Sequence, residues 1–211
     1  MLGVICAMDI ERAGLIALMS DERRINLLGY EFTVGKVRGK EIAVVLSGIG
    51  KVNAAAVTAL LISRFGVSEV INLGVCGGKE RGAMIVADSV VQYDFDTTAF
   101  GDELGQLDGF DSPYIKTSDI SERIKCDLRG VIASGDKFIV SEAQVKFLTD
   151  KFNAIGFDME SGAVAQICSK SNVRFAVVRV VSDGGDASEY EKFKLVAAQK
   201  GIDAVVDYIA E

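Results

Sequence analysis

Short apolar segments rich in β-branched residues alternate along this chain with segments of helical spacing, and this alternation constrains the fold more than any other feature. The pattern predicts strands over residues 3–7, 30–37, 41–46, 67–73, 85–93, 131–134, 154–159 and 175–182. It predicts helices over residues 10–19, 52–64, 143–150, 160–171 and 189–209. Such alternation is typical of an α/β fold in which helices cover both faces of a largely parallel central sheet. We find no repeat, low-complexity segment or linker, and we expect one domain over residues 1–211.

Two connections differ from the rest. Residues 38–40 read as the tight turn of a hairpin between the second and third predicted strands. Residues 101–117 form a long segment without regular periodicity and contain the only proline, Pro113. Long loops in compact domains are usually functional or lie at interfaces, so we expect one of these roles for residues 101–117.

Polar and glycine residues follow four of the predicted strands, at residues 8–11, 74–78, 159–161 and 179–183. Ligands of open α/β sheets bind at the carboxyl ends of the strands, so these segments are expected to converge on one pocket. An acidic residue after a strand is also an ordinary helix N-cap, and one such segment alone would be unspecific. Four of them together predict a site.

The chain contains no histidine, which excludes Ser-His-Asp and Cys-His catalysis and the usual imidazole base. It has 23 Lys and Arg against 30 Asp and Glu, a net charge of −7, so nucleic acid is an unfavourable partner. The four cysteines are scattered without a CxxC pair, and neither a metal site nor a disulfide framework is expected. No apolar run is long enough to span a bilayer and the N-terminus lacks a basic flank, so we expect a cytoplasmic protein without membrane contact.

The glycines do not form a nucleotide-binding motif. Residues 48–53 lack the third glycine of G-x-G-x-x-G, and residues 48–51 are too short for a P-loop. These glycines therefore indicate only tight bends or a close approach of the main chain. Cys76 lies near the predicted pocket, but without a histidine to activate it we expect an inert thiol.

Seven segments of the chain together carry a resemblance to a known family. They occur in this order: residues 7–11 (AMDIE), 47–55 (SGIGKVNAA), 72–78 (NLGVCGG), 98–101 (TAFG), 134–139 (SGDKFI), 158–160 (DME) and 179–183 (RVVSD). The sequence resembles the 5′-methylthioadenosine/S-adenosylhomocysteine nucleosidases of the purine nucleoside phosphorylase superfamily. The resemblance covers essentially the whole chain.

The resemblance implies a three-layer α/β/α sandwich with a central mixed sheet. It also implies a homodimer that hydrolyses the N-glycosidic bond of 5′-substituted adenine nucleosides to adenine and the free 5-substituted ribose, without a cofactor or metal. Such an activity belongs to nucleoside catabolism and methionine salvage.

Three residues resemble the catalytic groups of this family. Glu11 resembles the carboxylate that activates water, Arg179 a residue that supports this water, and Asp183 the acid at purine N7. The chemistry is consistent with this assignment, because cleavage develops positive charge on the sugar and negative charge on the departing base. To hold a proton near neutral pH, Asp183 would need a pKa raised by burial or by a nearby acid.

The resemblance also implies a set of binding residues. Glu160 resembles the carboxylate that grips the ribose hydroxyls, Phe138 and Ile139 resemble the adenine-binding pair, and Phe100 resembles a residue lent to the partner's 5′ pocket. The remaining expected contacts are Met8, Ile49, Val75, Cys76, Gly77, Met159 and Ser182, of which Ser182 helps to place Asp183.

Two features depart from the family. Val75 stands where the family usually has a serine whose hydroxyl helps to hold the water, so the reaction rate is in question. The segment over residues 184–189 is shorter than in many members, which leaves the preferred 5′-substituent open. Methylthioadenosine, adenosylhomocysteine, 5′-deoxyadenosine and a futalosine-type nucleoside all remain candidates.

Two other functions remain open at this point. A phosphorolytic nucleoside phosphorylase would use phosphate instead of water, but the arginine and serine that such enzymes place on the strand over residues 72–75 are absent. A nucleoside-binding protein that has lost turnover, through Val75, is the second alternative. Release of free adenine would separate it from both enzymes.

Overall fold

The computed structural model of the chain describes residues 1–184 and 187–211. Its strands are β1 (Leu2–Cys6), β2 (Ser20–Leu27), β3 (Tyr30–Val37), β4 (Lys40–Leu46), β5 (Glu69–Gly78), β6 (Met84–Gln92), β7 (Tyr114–Lys116), β8 (Leu128–Ser134), β9 (Ala154–Asp158) and β10 (Arg174–Asp183). Its α-helices are α1 (Asp9–Ile16), α2 (Lys51–Phe65), α3 (Glu142–Phe152), α4 (Ser161–Lys170) and α5 (Ala187–Ala210). Short 3₁₀ turns cover Thr98–Phe100 and Asp119–Arg123.

The ten strands belong to one sheet with the order β10-β6-β8-β9-β5-β1-β4-β3-β2, and β7 pairs with β6. Strand β10 also pairs with β5. Strands β5, β10, β6, β8 and β9 therefore form a closed ring, and β1, β4, β3 and β2 extend from it as an open sheet.

Strand β5 lies where the ring and the open sheet meet. One of its edges pairs with β10 from Glu69 to Gly77, while the other pairs with β1 over residues 69–72 and with β9 at Gly77 and Gly78. Between the last two pairings, residues 73–76 have a strand partner among the described residues on the β10 side alone. The main chain of β5 is open there to side chains from outside the sheet.

Helices cover both faces of the sheet. The strands alternate their side chains between two apolar layers, so that neighbours such as Val44 and Val45 belong to different clusters. One layer contains Leu61 of α2 and Val164 of α4, and the other contains residues of α1 and α5 such as Leu15 and Val205. The three-layer α/β/α architecture implied by the resemblance is confirmed.

The pairing pattern differs in part from the pattern-based expectation. A largely parallel sheet was predicted, but five strand pairings are parallel and five are antiparallel among the described residues. Strand β2 was not predicted, because its sequence SDERRINL is polar and its side chains are mostly exposed. It pairs with β3 at the edge of the sheet and needs no buried face.

Smaller differences concern the ends of elements. Helix α1 ends at Ile16 rather than Met19, and the segment over residues 101–117 contains the short strand β7. The short connection over residues 184–189 includes Gly185 and Asp186, which lie outside the described residues.

No helix in the described part of the chain is both long enough and apolar enough to cross a membrane.

Candidate active site

The carboxyl ends of β1, β5, β9 and β10 converge on a cavity that is open to solvent and, with that open space included, has an empty volume of about 570 Å³. Most residues singled out from the sequence line it: Met8, Glu11, Ile49, Val75, Cys76, Gly77, Phe138, Ile139, Met159, Glu160, Ser182 and Asp183. The segments predicted to form one pocket therefore do come together. Arg179 and Phe100 lie outside the cavity lining.

Glu11 is held in place by three main-chain amides. It occupies the first turn of α1, where its Oε2 accepts hydrogen bonds from the Ala7 and Met8 amides, each at 2.9 Å. Its Oε1 accepts a hydrogen bond at 3.0 Å from the Val75 amide, on the open edge of β5. A Cβ on Gly74 would lie 2.8 Å from Oε1, so glycine is required for this approach.

Opposing effects act on the pKa of the Glu11 carboxyl. The side chain is buried, and burial raises its pKa, while the Val75 amide and the Arg179 guanidinium oppose the rise. A carboxylate with a raised pKa is a stronger base than an exposed glutamate. Glu11 therefore combines a fixed position with the basicity needed to accept a proton.

Arg179 is a fully buried guanidinium behind the cavity wall, 1% exposed. Its Nε donates to Asp158 Oδ2 at 2.8 Å, and its Nη1 donates to the carbonyl oxygens of Asn72 and Val178 at 3.0 and 3.2 Å. Its Nη2 donates to Asn72 Oδ1 at 2.5 Å and lies 2.7 Å from Asp158 Oδ2. Four N–H groups of Arg179 therefore have hydrogen-bond acceptors inside the protein, and Nη2 makes a further ion-pair contact with Asp158.

This network keeps Arg179 charged in spite of its burial. Burial alone would lower the pKa of Arg179, but the neighbouring carboxylates Asp158, Glu160 and Glu11 raise it above its ordinary value. Asp158 also accepts hydrogen bonds from the amide and hydroxyl of Ser161, at the start of α4. The cation thus sits among three carboxylates at the floor of the site.

Glu160 follows strand β9 and is buried. Its Oε1 accepts a hydrogen bond at 2.9 Å from the Gly50 amide, immediately before α2. Burial raises the pKa of Glu160 to about 7, and the charge of Asp158 raises it in the same direction. Glu160 therefore changes its charge near neutral pH.

Asp183 and Ser182 end strand β10 and are both buried. The Ser182 hydroxyl oxygen lies 2.9 Å from Asp183 Oδ2 and 3.2 Å from the Cys76 carbonyl oxygen. When Ser182 donates its one hydrogen bond to the carbonyl, its oxygen can accept a hydrogen bond from a protonated Asp183. This pair can thus accommodate either the ionised or the neutral form of Asp183.

Cys76 and Gly77 have structural roles in the wall of the cavity. Burial raises the pKa of the Cys76 thiol, so the sulfur stays protonated, as expected for an inert thiol. A Cβ on Gly77 would overlap the ring of Phe157, and only glycine allows this ring to lie against β5.

Phe138 and Ile139 lie in the loop between β8 and α3, and both face the cavity. Ile139 is buried, whereas Phe138 is 41% exposed. Phe100 is 87% exposed in the 3₁₀ turn Thr98–Phe100 and contributes nothing to this cavity from its own chain.

Four lining residues had no role assigned from the sequence: Ala7, Lys137, Phe157 and Asp158. Asp158 stands in the DME segment, where an acidic residue two positions before Glu160 was the available signal. The Ala7 and Gly50 contributions come from main-chain amides, which leave no trace in the residue type.

The chain is similar to characterised proteins over nearly its whole length. The family model described as "Phosphorylase superfamily" matches residues 1–210. A 5′-methylthioadenosine/S-adenosylhomocysteine nucleosidase of Marinomonas sp. (strain MWYL1) is 36% identical, with 94% of this chain and 93% of the relative covered.

Two solved structures are similar in fold as well. A 5′-methylthioadenosine/S-adenosylhomocysteine nucleosidase of Neisseria meningitidis, in complex with methylthio-immucillin-A, has a TM-score of 0.95 at 29% identity, with 99% and 97% of the chains covered. A nucleosidase of the same description from Colwellia psychrerythraea 34H, in complex with adenine, has a TM-score of 0.93 at 31% identity, with 99% and 94% covered.

Proposed function

This chain belongs to the 5′-methylthioadenosine/S-adenosylhomocysteine nucleosidase family of the phosphorylase superfamily, and from this premise we propose its reaction. It is an N-ribosyl hydrolase that cleaves the N-glycosidic bond of 5′-substituted adenine nucleosides. The products are adenine and the free 5-substituted ribose.

One observation carries the proposal most directly. The cavity is lined by four carboxyl side chains, Glu11, Asp158, Glu160 and Asp183, and its described lining contains a single cationic side chain, Lys137. Ionised carboxylates in this set stabilise a sugar that becomes positively charged as its bond to the base breaks, and a protonated one can act as an acid toward the base. The site thus fits a ribosyl cation better than it fits an anion.

Glu11 is the general base of the proposed reaction. Three amides fix its carboxylate at the floor of the cavity, and burial raises its pKa, so it can accept a proton as water attacks the anomeric carbon. The amide of Val75 supports Glu11 whatever the side chain at this position. The missing hydroxyl therefore affects the water itself and leaves the position of the base unchanged.

Asp183 is the general acid. It lies in the cavity wall at the end of β10, where the Ser182 hydroxyl can accept a hydrogen bond from protonated Asp183 or donate one to the ionised form. Protonation of purine N7 lets the base leave as neutral adenine instead of an anion. Less charge separation then develops as the glycosidic bond breaks.

The remaining residues bind the two halves of the substrate. Glu160 accepts hydrogen bonds from the ribose hydroxyls beside Met159, and Phe138 and Ile139 form the wall against the adenine. Ionised Glu160 also lies close to the developing positive charge.

Arg179 acts as a positioning residue in this proposal. Four of its N–H groups donate to Asp158, Asn72 and Val178, and the side chain lies outside the cavity lining, so we assign it no direct contact with the attacking water. Its contribution is the position of Asp158 and a positive charge near Glu11 that keeps this base ionised. The resemblance implies direct support of the water, and we propose this indirect role in its place.

Water is favoured over phosphate as the nucleophile. A buried phosphate dianion needs cations or several donors to offset its desolvation. Asn72 is bound to Arg179 and to the Ile5 carbonyl, Val75 is apolar, and Arg179 lies outside the cavity lining. The described cavity residues therefore offer no phosphate site next to Glu11.

The test is adenine release from methylthioadenosine, adenosylhomocysteine, 5′-deoxyadenosine and a futalosine-type nucleoside, each with and without phosphate. We expect free adenine and free ribose derivatives, with rates that phosphate leaves nearly unchanged. A ribose 1-phosphate derivative as the main product would overturn the hydrolase in favour of a phosphorylase. Tight binding without release of base from any substrate would indicate the nucleoside-binding protein, and the panel also identifies the preferred 5′-substituent.

We further propose that the enzyme is a homodimer in which Phe100 completes the partner's cavity. An aromatic ring that is 87% exposed, beside the long loop over residues 101–117, supports a contact with a second copy. A twofold interface would complete both sites at once. A monomer in light scattering that still turns over at the full rate would contradict this arrangement.

The cellular setting is proposed on the same basis. Residues 1–211 would act as one cytoplasmic domain in nucleoside catabolism and methionine salvage, since a nucleosidase of this kind returns adenine and a thioribose to metabolism. Cell fractionation, with accumulation of methylthioadenosine in a deletion strain, tests this setting.

A further inference from the structure

The loop that carries Phe138 and Ile139 is bound by side chains outside the cavity. The Asp136 amide donates to Asp94 Oδ2 at 2.9 Å, at the end of β6. The Asp136 Oδ1 accepts from the Lys51 amide at 2.7 Å, at the first residue of α2. Asp136 is therefore held at two points: Asp94 binds its main-chain amide, and the first residue of α2 binds its carboxylate.

Lys51 closes these contacts into a cycle. Its Nζ donates to Asp94 Oδ1 at 2.6 Å, so the same residue binds Asp136 through its main chain and Asp94 through its side chain. The side chains of Lys51 and Asp94 are 20% and 28% exposed, less than an ordinary surface pair. We call the cycle of Lys51, Asp94 and Asp136 the latch.

The start of α2 also holds the carboxylate on the other side of the substrate. The Gly50 amide donates to Glu160 Oε1, and the next amide, that of Lys51, donates to Asp136. Gly50 has a φ of 101°, and a Cβ there would lie 3.1 Å from Asp136 Oδ1, so glycine permits both contacts. Two consecutive amides thus link Glu160 to the loop with Phe138 and Ile139.

We propose that Lys51, Asp94 and Asp136 are positioning residues that fix the wall for the base relative to the carboxylate for the ribose. The proposal rests on the proposed function for the identity of the two substrate halves. None of the three residues lines the cavity, and each acts through the loop. Because the latch orders a wall that contacts the base before and during the reaction, its loss weakens substrate and transition state equally.

The kinetic test compares Lys51→Met with Lys51→Arg. For Lys51→Met we expect the KM for methylthioadenosine and the Kd for adenine to rise about three- to tenfold, with kcat within about twofold of the wild type. Lys51→Arg keeps the ion pair and should restore most of the affinity. Lys146→Met removes an exposed ion pair of the same kind with Asp150, on α3, and should change neither constant.

Salt provides a second kinetic signature. Methylthioadenosine is uncharged, so salt acts on the protein alone, and a partly exposed ion pair weakens as ionic strength rises. The KM of the wild type should therefore rise with NaCl and that of Lys51→Met should not. Parallel salt dependence in both proteins would overturn the role of the ion pair.

Hydrogen exchange tests the latch without turnover. In Lys51→Met and Asp94→Ala, amides over residues 135–139 should exchange faster than in the wild type, whereas those of β10 should not change. Unchanged exchange over residues 135–139 would overturn the proposal even if KM rose. A wild type that releases no adenine would refute the proposed function, and the exchange result would still decide whether the latch holds the loop.

Discussion

Strand β10 carries two arginines, one at its first residue and one in its middle behind the site, and the two show how burial changes the same chemistry. Arg174, at the amino end, is bound to Glu69 and lies 3.3 Å from Asp119, with its side chain 49% exposed. Arg179, five positions along the same strand, is bound to Asp158 and Asn72 with its side chain 1% exposed. Water competes with the first set of contacts and is excluded from the second. Removal of the second arginine alone leaves a buried carboxylate without a neighbouring cation and without access to water.

The amino end of the sheet and the site at its carboxyl end also differ in the role of their charges. At the amino end, the Tyr208 hydroxyl donates to Glu69 Oε2 at 2.9 Å, and Arg123 lies 4.6 Å above the Tyr208 ring. These contacts fasten the end of α5 to the sheet. At the carboxyl end, the buried charges surround a cavity and are available to a ligand. Exposed charge here secures an element, whereas buried charge builds a site.

Among the variants that test this comparison, Asp183→Asn at the carboxyl end of β10 is expected to have the largest effect. The amide keeps the shape but cannot deliver a proton, so we expect kcat for adenine release to fall about 10²- to 10⁴-fold, as for loss of a general acid. Thermal unfolding should change little. Asp119→Asn at the amino end is the matched control, with kcat unchanged. An Asp183→Asn variant with wild-type kcat would remove the acid from the proposed mechanism.

Arg179→Met tests whether the buried arginine contributes more to the free energy of unfolding than the exposed one. It leaves Asp158 as a buried carboxylate without its cation, a change that costs about 3–5 kcal/mol of unfolding free energy in comparable buried pairs. Urea unfolding followed by circular dichroism measures this loss. A cost below about 1 kcal/mol, as for a surface pair, would mean that burial does not distinguish the two arginines.

The pH dependence of Glu160 gives the next largest effect. Burial raises the pKa of Glu160 to about 7, and only the ionised form can accept from both ribose hydroxyls. Below this pH we expect kcat/KM to fall about tenfold per pH unit, measured across pH 5–8 with a control for stability. An adenine-release profile that stays flat between pH 5 and 7 would contradict the role of Glu160.

The raised pKa of Glu160 lowers activity at low pH but increases the stability of the folded state there. A carboxyl that binds its proton more tightly in the folded state contributes stability that is present at low pH and is lost as the pH rises through about 7. Glu160→Gln should therefore unfold at a higher temperature than the wild type at pH 8, while its turnover is reduced. A lower unfolding temperature for this variant would show that Glu160 is stabilising in its charged form.

Arg174→Met is the smallest of these changes. Both ion pairs of Arg174 are exposed to water, so we expect an unfolding free energy within about 1 kcal/mol of the wild type and no change in kcat. Urea unfolding beside Arg179→Met gives the direct comparison. A loss as large as that of Arg179→Met would show that the amino end also depends on its charges.

The sequence predicts those parts of the molecule in which periodicity reports burial. The hairpin of β3 and β4 was predicted to within a residue, because both strands contain runs of buried residues and residues 38–40 form a clear turn. Strand β2 was missed because its residues are polar and exposed and only its pairing with β3 makes it a strand. An edge strand of this kind leaves no hydrophobic pattern to detect.

The site shows the same division between side chains and main chain. Glu11, Glu160 and Asp183 were found from their motifs, since a carboxyl group after a strand is visible in the sequence. The main-chain amides of Val75 and Gly50, which bind two of these carboxyl groups, were not predicted. Every non-proline residue has a main-chain amide, so the residue type gives no signal for this role. The hydrogen bonds of Arg179 depend on the register of β5 and β10, which pairs Arg179 with Gly74 and which no local pattern specifies.

The closed ring of strands has a consequence for how the enzyme folds. Its seam consists of Gly77 and Gly78 paired with Phe157 and Gly156, segments that are far apart along the chain. Pairing across such a distance carries the cost of closing a long loop and is expected among the late steps of folding. The cavity lies at this seam, so an incompletely folded chain has no place for a nucleoside. A nucleoside can therefore bind only after the ring has closed. By mass action, its binding increases the free energy of unfolding of the last part of the protein to form.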